Sequence, residues 1–195
     1  MYRTCSLAAL ALSLVACDRR PIDATAALPA PGTPLPAFAF ARFAGGAQQI
    51  TSAGLRGAPA VVALWSIHCP FQGPAMAAFD SLARQFGPKG VQFVLLADDP
   101  PGPALDSALT AAPWRAAASV VGVADGALGR LFDQSREAPT DHPYRVAFVL
   151  PSFLLVDADG RVVQRAFGEA DSLFRPALDS LVGDGAKFEV ISSAT

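Results

Sequence analysis

The sequence is poor in the residues that most often build metal sites, disulfide scaffolds and nucleic-acid contacts. It holds three cysteines and two histidines in 195 residues. So few cysteines cannot staple a small scaffold, and only Cys69, His68, His142 and Met76 remain as soft or borderline ligands, so neither a metal nor a cofactor is expected. The 15 basic residues are offset by 17 acidic ones, for a net charge of −2 without a basic run. Nucleic acid is therefore not an expected partner. Hydrophobic residues make up 52% of the chain, a figure inflated by alanine. After the N-terminus no apolar stretch approaches the ~18 residues that a bilayer-spanning helix needs.

The N-terminus itself has a different character. Arg3 gives a short positive start, and Ser6 to Val15 is an apolar run of signal-peptide length, too short to span a bilayer. Leu14-Val15-Ala16-Cys17 resembles a bacterial lipobox, which implies cleavage before Cys17 and diacylation of its sulfur. Residues 1–16 are then a lipoprotein signal peptide, and the mature protein is expected outside the cytoplasm, lipid-anchored to a bacterial membrane. With Cys5 removed and Cys17 acylated, Cys69 is the remaining thiol and no internal disulfide is possible. A lone thiol in an oxidising compartment is either reactive or buried and inert.

Residues 17–35 are rich in proline and alanine and are expected to form a semi-rigid tether. The domain is expected over 36–184, with a loose tail at 185–195. Phe38 to Phe43 and Gln48 to Thr51 pattern as a β-hairpin, and Ala60 to Trp65 as a strand buried on both faces. Met76, Phe79, Leu82, Ala83 and Phe86 recur at helical spacing, which predicts a helix over Pro70 to Phe86 with these side chains in the core. Val91 to Ala97 is a second buried strand. Ala104 to Ala118 has a helical pattern interrupted by Pro113, and Ser119 to Val123 and Gly126 to Phe132 follow as a strand and a short helix. Ser152 to Val156 and Arg161 to Phe167 flank the tight-turn sequence Asp157-Ala158-Asp159-Gly160, and Asp171 to Leu181 closes the domain as a helix. Strands alternating with helices predict an α/β fold, and the late hairpin makes its sheet mixed.

The chemistry concentrates at Leu64-Trp65-Ser66-Ile67-His68-Cys69-Pro70-Phe71-Gln72, where an apolar strand runs into a cysteine that opens a helix. Unpaired backbone N–H groups and the helix dipole at such a position stabilise a thiolate, and a protonated His68 would add to this. Thiolate, not thiol, attacks disulfides and peroxides. Asp98-Asp99 reads as a turn at a strand end, and Trp114 carries no functional signal.

The segment resembles the active-site corner of the thioredoxin fold, W-x-x-W-C-P-x-C. Pro36-Ala37-Phe38-Ala39-Phe40 resembles a P-x-F entry strand, Leu55-Arg56-Gly57 an L-x-G-K turn, and Leu150 to Gly160 the pattern P-T-x-F-L-I-D-x-D-G. Together these resemble the TlpA/ResA-like, or AhpC/TSA redoxin, branch of the thioredoxin superfamily from about Leu35 to Val182. The resemblance implies a thioredoxin-like fold, a central mixed β-sheet flanked by helices with an N-terminal β-hairpin extension. It also implies that Pro151 is cis and packs against the reactive cysteine, shaping a groove for an extended partner. Three residues depart from the pattern. Gln72 replaces the second cysteine, Ala63 stands where thioredoxins carry a buried acid, and His68 replaces the tryptophan before the first cysteine.

Candidate site residues are Cys69, Pro151, Gln72, His68 and Ser66, with Gln72 expected to hydrogen-bond the sulfur or a bound chain. They point to a redox protein with one working thiol. Cys69 would attack a protein disulfide or a small oxidant, and an external thiol would resolve the product. The alternative is a non-catalytic binding module that keeps the groove. Two lesser readings rest on local resemblances. Ser66-x-x-Cys69-x-x-Gln72 is similar to the peroxiredoxin pattern T-x-x-C-x-x-E/Q, with Arg145 or Arg165 as the cation, although Val62 replaces its proline. His68-Cys69-Pro70 is similar to the Sco copper chaperones, but Gly73 replaces their second cysteine.

Overall fold

The computed structural model describes Thr25 and residues 28–43, 48–69, 72–115, 118, 120–132, 149–168 and 170–192, the last nine by backbone only. Among the described residues there are seven strands: β1 (Ala39–Arg42), β2 (Gln49–Thr51), β3 (Ala60–Trp65), β4 (Gln92–Ala97), β5 (Val120–Val123), β6 (Ser152–Val156) and β7 (Val162–Phe167). They form one mixed sheet in the order β2-β1-β5-β4-β3-β6-β7. The centre, β5-β4-β3, is parallel, and antiparallel pairs flank it on both sides. The N-terminal hairpin β1-β2 is attached through β5. This is the α/β thioredoxin-like architecture that the sequence implies.

The central strands pair parallel because a helix crosses over between each of them and the next, and their apolar runs suit burial on both faces. All six residues of β3 are buried. Val61, Ala63 and Trp65 face a core built with Phe79 of α1 (Gln72–Phe86), Leu105 and Leu109 of α2 (Pro103–Ala111), and Phe174 and Leu178 of α4 (Asp171–Ser192). Ala60, Val62 and Leu64 face a second core, closed by Leu128 and Phe132 of α3 (Leu128–Phe132) and by Leu28, Leu35 and Phe38. Each large side chain removed from water in these layers contributes about 1.5–3 kcal/mol. Met76, Phe79 and Phe86 are fully buried, in the core role that their spacing predicts.

Three boundaries differ from expectation. Helix α2 stops at Ala111 instead of resuming past Pro113, because the residue before a proline is pushed out of helical geometry; Ala112 is extended, with φ −73° and ψ 118°. Helix α4 runs past Leu181 and through the stretch expected as a loose tail, to Ser192. Isolated Gly183 and Gly185 each cost about 1 kcal/mol in a helix but do not stop it.

The third difference is at the tether. Residues from Leu28 onward are packed on the domain, although the tether was expected to reach residue 35. The N–H groups of Gly32 and Leu35 donate to the Val162 and Gly160 carbonyls, and Val162 N–H returns to Thr33. Arg161 and Arg165 donate to the Gly32 and Leu28 carbonyls. Proline content alone suggested an extended tether. Leu28 and Leu35, however, are apolar side chains that the domain buries, and the segment covers the open edge of β7.

Candidate active site

Strands β3 and β4 run parallel in register, Trp65 beside Ala97, so the residues after both emerge at the same sheet edge. Strand β6 runs the other way beside β3, with Ser152 opposite Leu64, which brings Pro151 to that edge too. Beyond Trp65 the chain turns tightly. The His68 N–H donates to Ser66 Oγ at 3.1 Å, and the Cys69 N–H to the Ser66 carbonyl at 3.1 Å. The turn carries Cys69 to the loop before β6, where its Sγ–H donates to the Leu150 carbonyl at 2.8 Å. The Leu150–Pro151 bond is cis, the form that the resemblance implies for Pro151. Cys69 is 6% exposed.

A buried carboxylate holds this turn. Asp99, 4% exposed, accepts from Ser66 Oγ at 2.9 Å through Oδ1 and from the Ile67 N–H at 2.9 Å through Oδ2. His68 is exposed, and its Nε2 lies 3.9 Å from Asp99 Oδ1. On the other side of Cys69, the Trp65 indole N–H donates to Gln72 Oε1 at 2.8 Å. Trp114 packs edge-on against Trp65 with ring centroids 5.2 Å apart. Asp98 points away from the turn and accepts from the Leu128 N–H at 2.9 Å, at the start of α3. Burial raises the Asp98 carboxyl above its ordinary value. The Leu128 hydrogen bond and Arg130 oppose the rise, while Asp99 and Asp125 add to it.

The structure thus brings Ser66, His68, Cys69, Gln72 and Pro151 to one corner of the sheet. Gln72 uses its carbonyl oxygen on Trp65, leaving the NH2 group to offer elsewhere. Ala63 is fully buried among apolar side chains. Arg165, one cation considered for a peroxide site, donates to the Leu28 carbonyl. Arg145 and His142 lie outside the described residues. Among the described residues no three His, Cys, Asp or Glu side chains group as metal ligands. Nor is any helix among them long and apolar enough to cross a membrane. Asp99 was missed as a site residue. The signal was available, since Asp98-Asp99 follows a buried strand parallel to β3, and such strands end together at the edge where sites form.

The family model described as Redoxin matches residues 30–180. The chain belongs to the Redoxin family. Solved structures with the same fold include a Chlorobium tepidum protein assigned as the thiol:disulfide interchange protein DsbE, with TM-score 0.58 and 18% identity, covering 78% of this chain and 98% of that one. The thioredoxin domain of a thiol-disulfide oxidoreductase from Bacteroides vulgatus has TM-score 0.58 and 14% identity, covering 78% and 99%. A thiol:disulfide interchange protein from Bacteroides sp. has TM-score 0.55 and 17% identity, covering 79% and 91%. At these identities the likeness is one of fold. No curated protein matches the sequence. In this Redoxin member Gln72 stands three residues after Cys69, where the thioredoxin corner carries its second cysteine.

Proposed function

We propose that this protein is a membrane-tethered, extracytoplasmic thiol redox protein that exchanges disulfides through Cys69 alone. The observation that carries the reading is the placement of Cys69 Sγ against the Leu150 carbonyl, beside cis Pro151 and at the mouth of the Ser66–Cys69 turn. An extended partner lying along the loop before β6 would find backbone groups there and a sulfur within reach. The Cys69 thiolate attacks one sulfur of the partner's disulfide and expels the other as a thiolate, leaving a mixed disulfide. An external thiolate then attacks the partner's sulfur and expels the Cys69 thiolate, leaving that sulfur in a mixed disulfide with the external thiol. Gln72, with its NH2 group, would hydrogen-bond the sulfur or the bound chain.

The names of the similar folds, thiol:disulfide interchange proteins among them, support the same class of chemistry. The lipobox-like Leu14 to Cys17 supports the tether. Radiolabelled palmitate should be incorporated and should be lost in Cys17→Ser.

The deciding experiment is Cys69 alkylation against pH in the domain beginning at Arg19. A midpoint well below the ~8.5 of a free cysteine identifies a poised nucleophile. Labelling that requires denaturation sinks the redox reading and favours a binding module, for which a Cys69 held on a backbone carbonyl would be only a packing element.

A further inference from the structure

We propose that Asp99 is a positioning residue for Cys69, aiming its sulfur by fixing the turn that carries it. This rests on the reading of Cys69 as the working group. The carboxylate sits at the end of β4, on the strand next to β3, and is almost wholly buried. Its two oxygens are spent on consecutive residues of the turn, Ser66 Oγ and the Ile67 N–H, each at 2.9 Å. Ser66 passes the restraint on. Its hydroxyl accepts from the His68 N–H, and its carbonyl accepts from the Cys69 N–H.

Every backbone N–H from Ile67 to Cys69 is thereby engaged by Asp99 directly or by Ser66. A charge-assisted bond at the head of this chain is stronger and shorter than a neutral one, which suits it to holding a reacting group in a single orientation. The groups facing Asp99 are few among the described residues. His68 lies at 3.9 Å on the turn itself. Asp98 is the neighbouring carboxylate, with Arg130 and Asp125 around it. Asp99 therefore acts on Cys69 through the turn and not by contact with a substrate.

The test compares two reagents on the domain beginning at Arg19. Iodoacetamide reports how open the sulfur is. Oxidised glutathione reports whether the sulfur is aimed, because Cys69 must attack along the S–S axis and release glutathione thiolate. In Asp99→Ala the iodoacetamide rate should rise about tenfold as the turn loosens, while the glutathione-disulfide rate does not rise, so their ratio falls about tenfold. Asp99→Asn retains an oxygen for the Ile67 N–H and should keep a ratio nearer to that of the native protein. Ser66→Ala should lower the ratio in the native background and add little to Asp99→Ala, because both changes cut the same chain.

Two rates that rise together, or neither rate moving, would show that Asp99 only holds the fold, and would overturn the proposal. Multiplying effects of the Asp99 and Ser66 changes would overturn it too. Should Asp99→Ala fail to fold, Ser66→Ala carries the comparison, with the same fall in the ratio expected and the same outcomes overturning the proposal. Failure of the native protein to label at all is a separate result, and it counts against the redox reading itself.

Discussion

The indole N–H of Trp65 donates to Oε1 of Gln72 at 2.8 Å, tying the end of β3 to the first described turn of α1. An indole nitrogen has only a proton to give, so the amide oxygen faces it and the NH2 group faces elsewhere. Gln72 is thus built into the corner, three residues after Cys69, where a two-cysteine site would carry its second sulfur. Gln72→Cys should create such a site. The domain beginning at Arg19, treated with oxidised glutathione, is expected to keep a glutathione adduct on Cys69 when native. The variant should close an internal disulfide and lose both free thiols. Mass spectrometry distinguishes these outcomes, and two retained glutathiones in the variant would mean that positions 69 and 72 cannot meet. The substitution also leaves the Trp65 donor without its acceptor, at a cost of about 1–3 kcal/mol.

The cover over β7 is expected to contribute to stability. Leu28 is 1% exposed, its carbonyl accepts from Arg165, and it packs with Val162 and Leu154 in the second core. Leu28→Ala should destabilise the protein by about 2–4 kcal/mol, read as a lower urea midpoint with an unchanged slope. A change within about 0.5 kcal/mol, the size of a surface substitution, would show that residues 28–35 are not part of the cooperative unit.

How much of this was legible depends on where the signal lay. The unbroken apolar run Ala60 to Trp65 could only be a strand buried on two faces, and its observed bounds are those expected. Local pattern also carried Ser152 to Val156 and the closing turn before β7. Asp99 was not legible by itself, because a carboxylate after a strand reads as a turn until its parallel neighbour is known. Leu28 and Leu35 were hidden by the prolines between them, whose local stiffness says nothing of a distant sheet edge. Gln72 was visible as a missing cysteine, but its hydrogen bond to Trp65 depends on how α1 meets β3.

Gly122, in the middle of β5, is a packing requirement that composition does not reveal. A Cβ there would lie 2.6 Å from Ile50 Cγ2 and 2.9 Å from Leu96 Cδ2, too close for either neighbour to stay in place. Gly122→Ala is expected to cost about 1–3 kcal/mol. Combined with Ile50→Ala it should cost less than the sum of the two single changes, since the second vacates the space that the first fills. Strict additivity in urea denaturation would show that the hairpin β1-β2 does not press on β5 as described.

Asp98 links stability to pH with a definite sign. Burial raises its folded-state value above the ordinary 3.8; the Leu128 N–H bond and Arg130 work against the rise, and Asp99 and Asp125 work with it. Between the ordinary and the raised value, the folded protein binds more protons than the unfolded one. Stability therefore falls as pH rises through that window. Below it both states are protonated and Asp98 makes no difference; above it the full penalty is present. Asp98→Asn stays neutral and keeps an amide oxygen for the Leu128 N–H. It should be more stable than the native protein near neutral pH, with the difference shrinking towards zero as the pH falls below the ordinary carboxyl value. Urea denaturation of both proteins across acid and neutral pH measures this difference. A gap of constant size at every pH would assign the effect to packing at the start of α3 and not to the charge on Asp98.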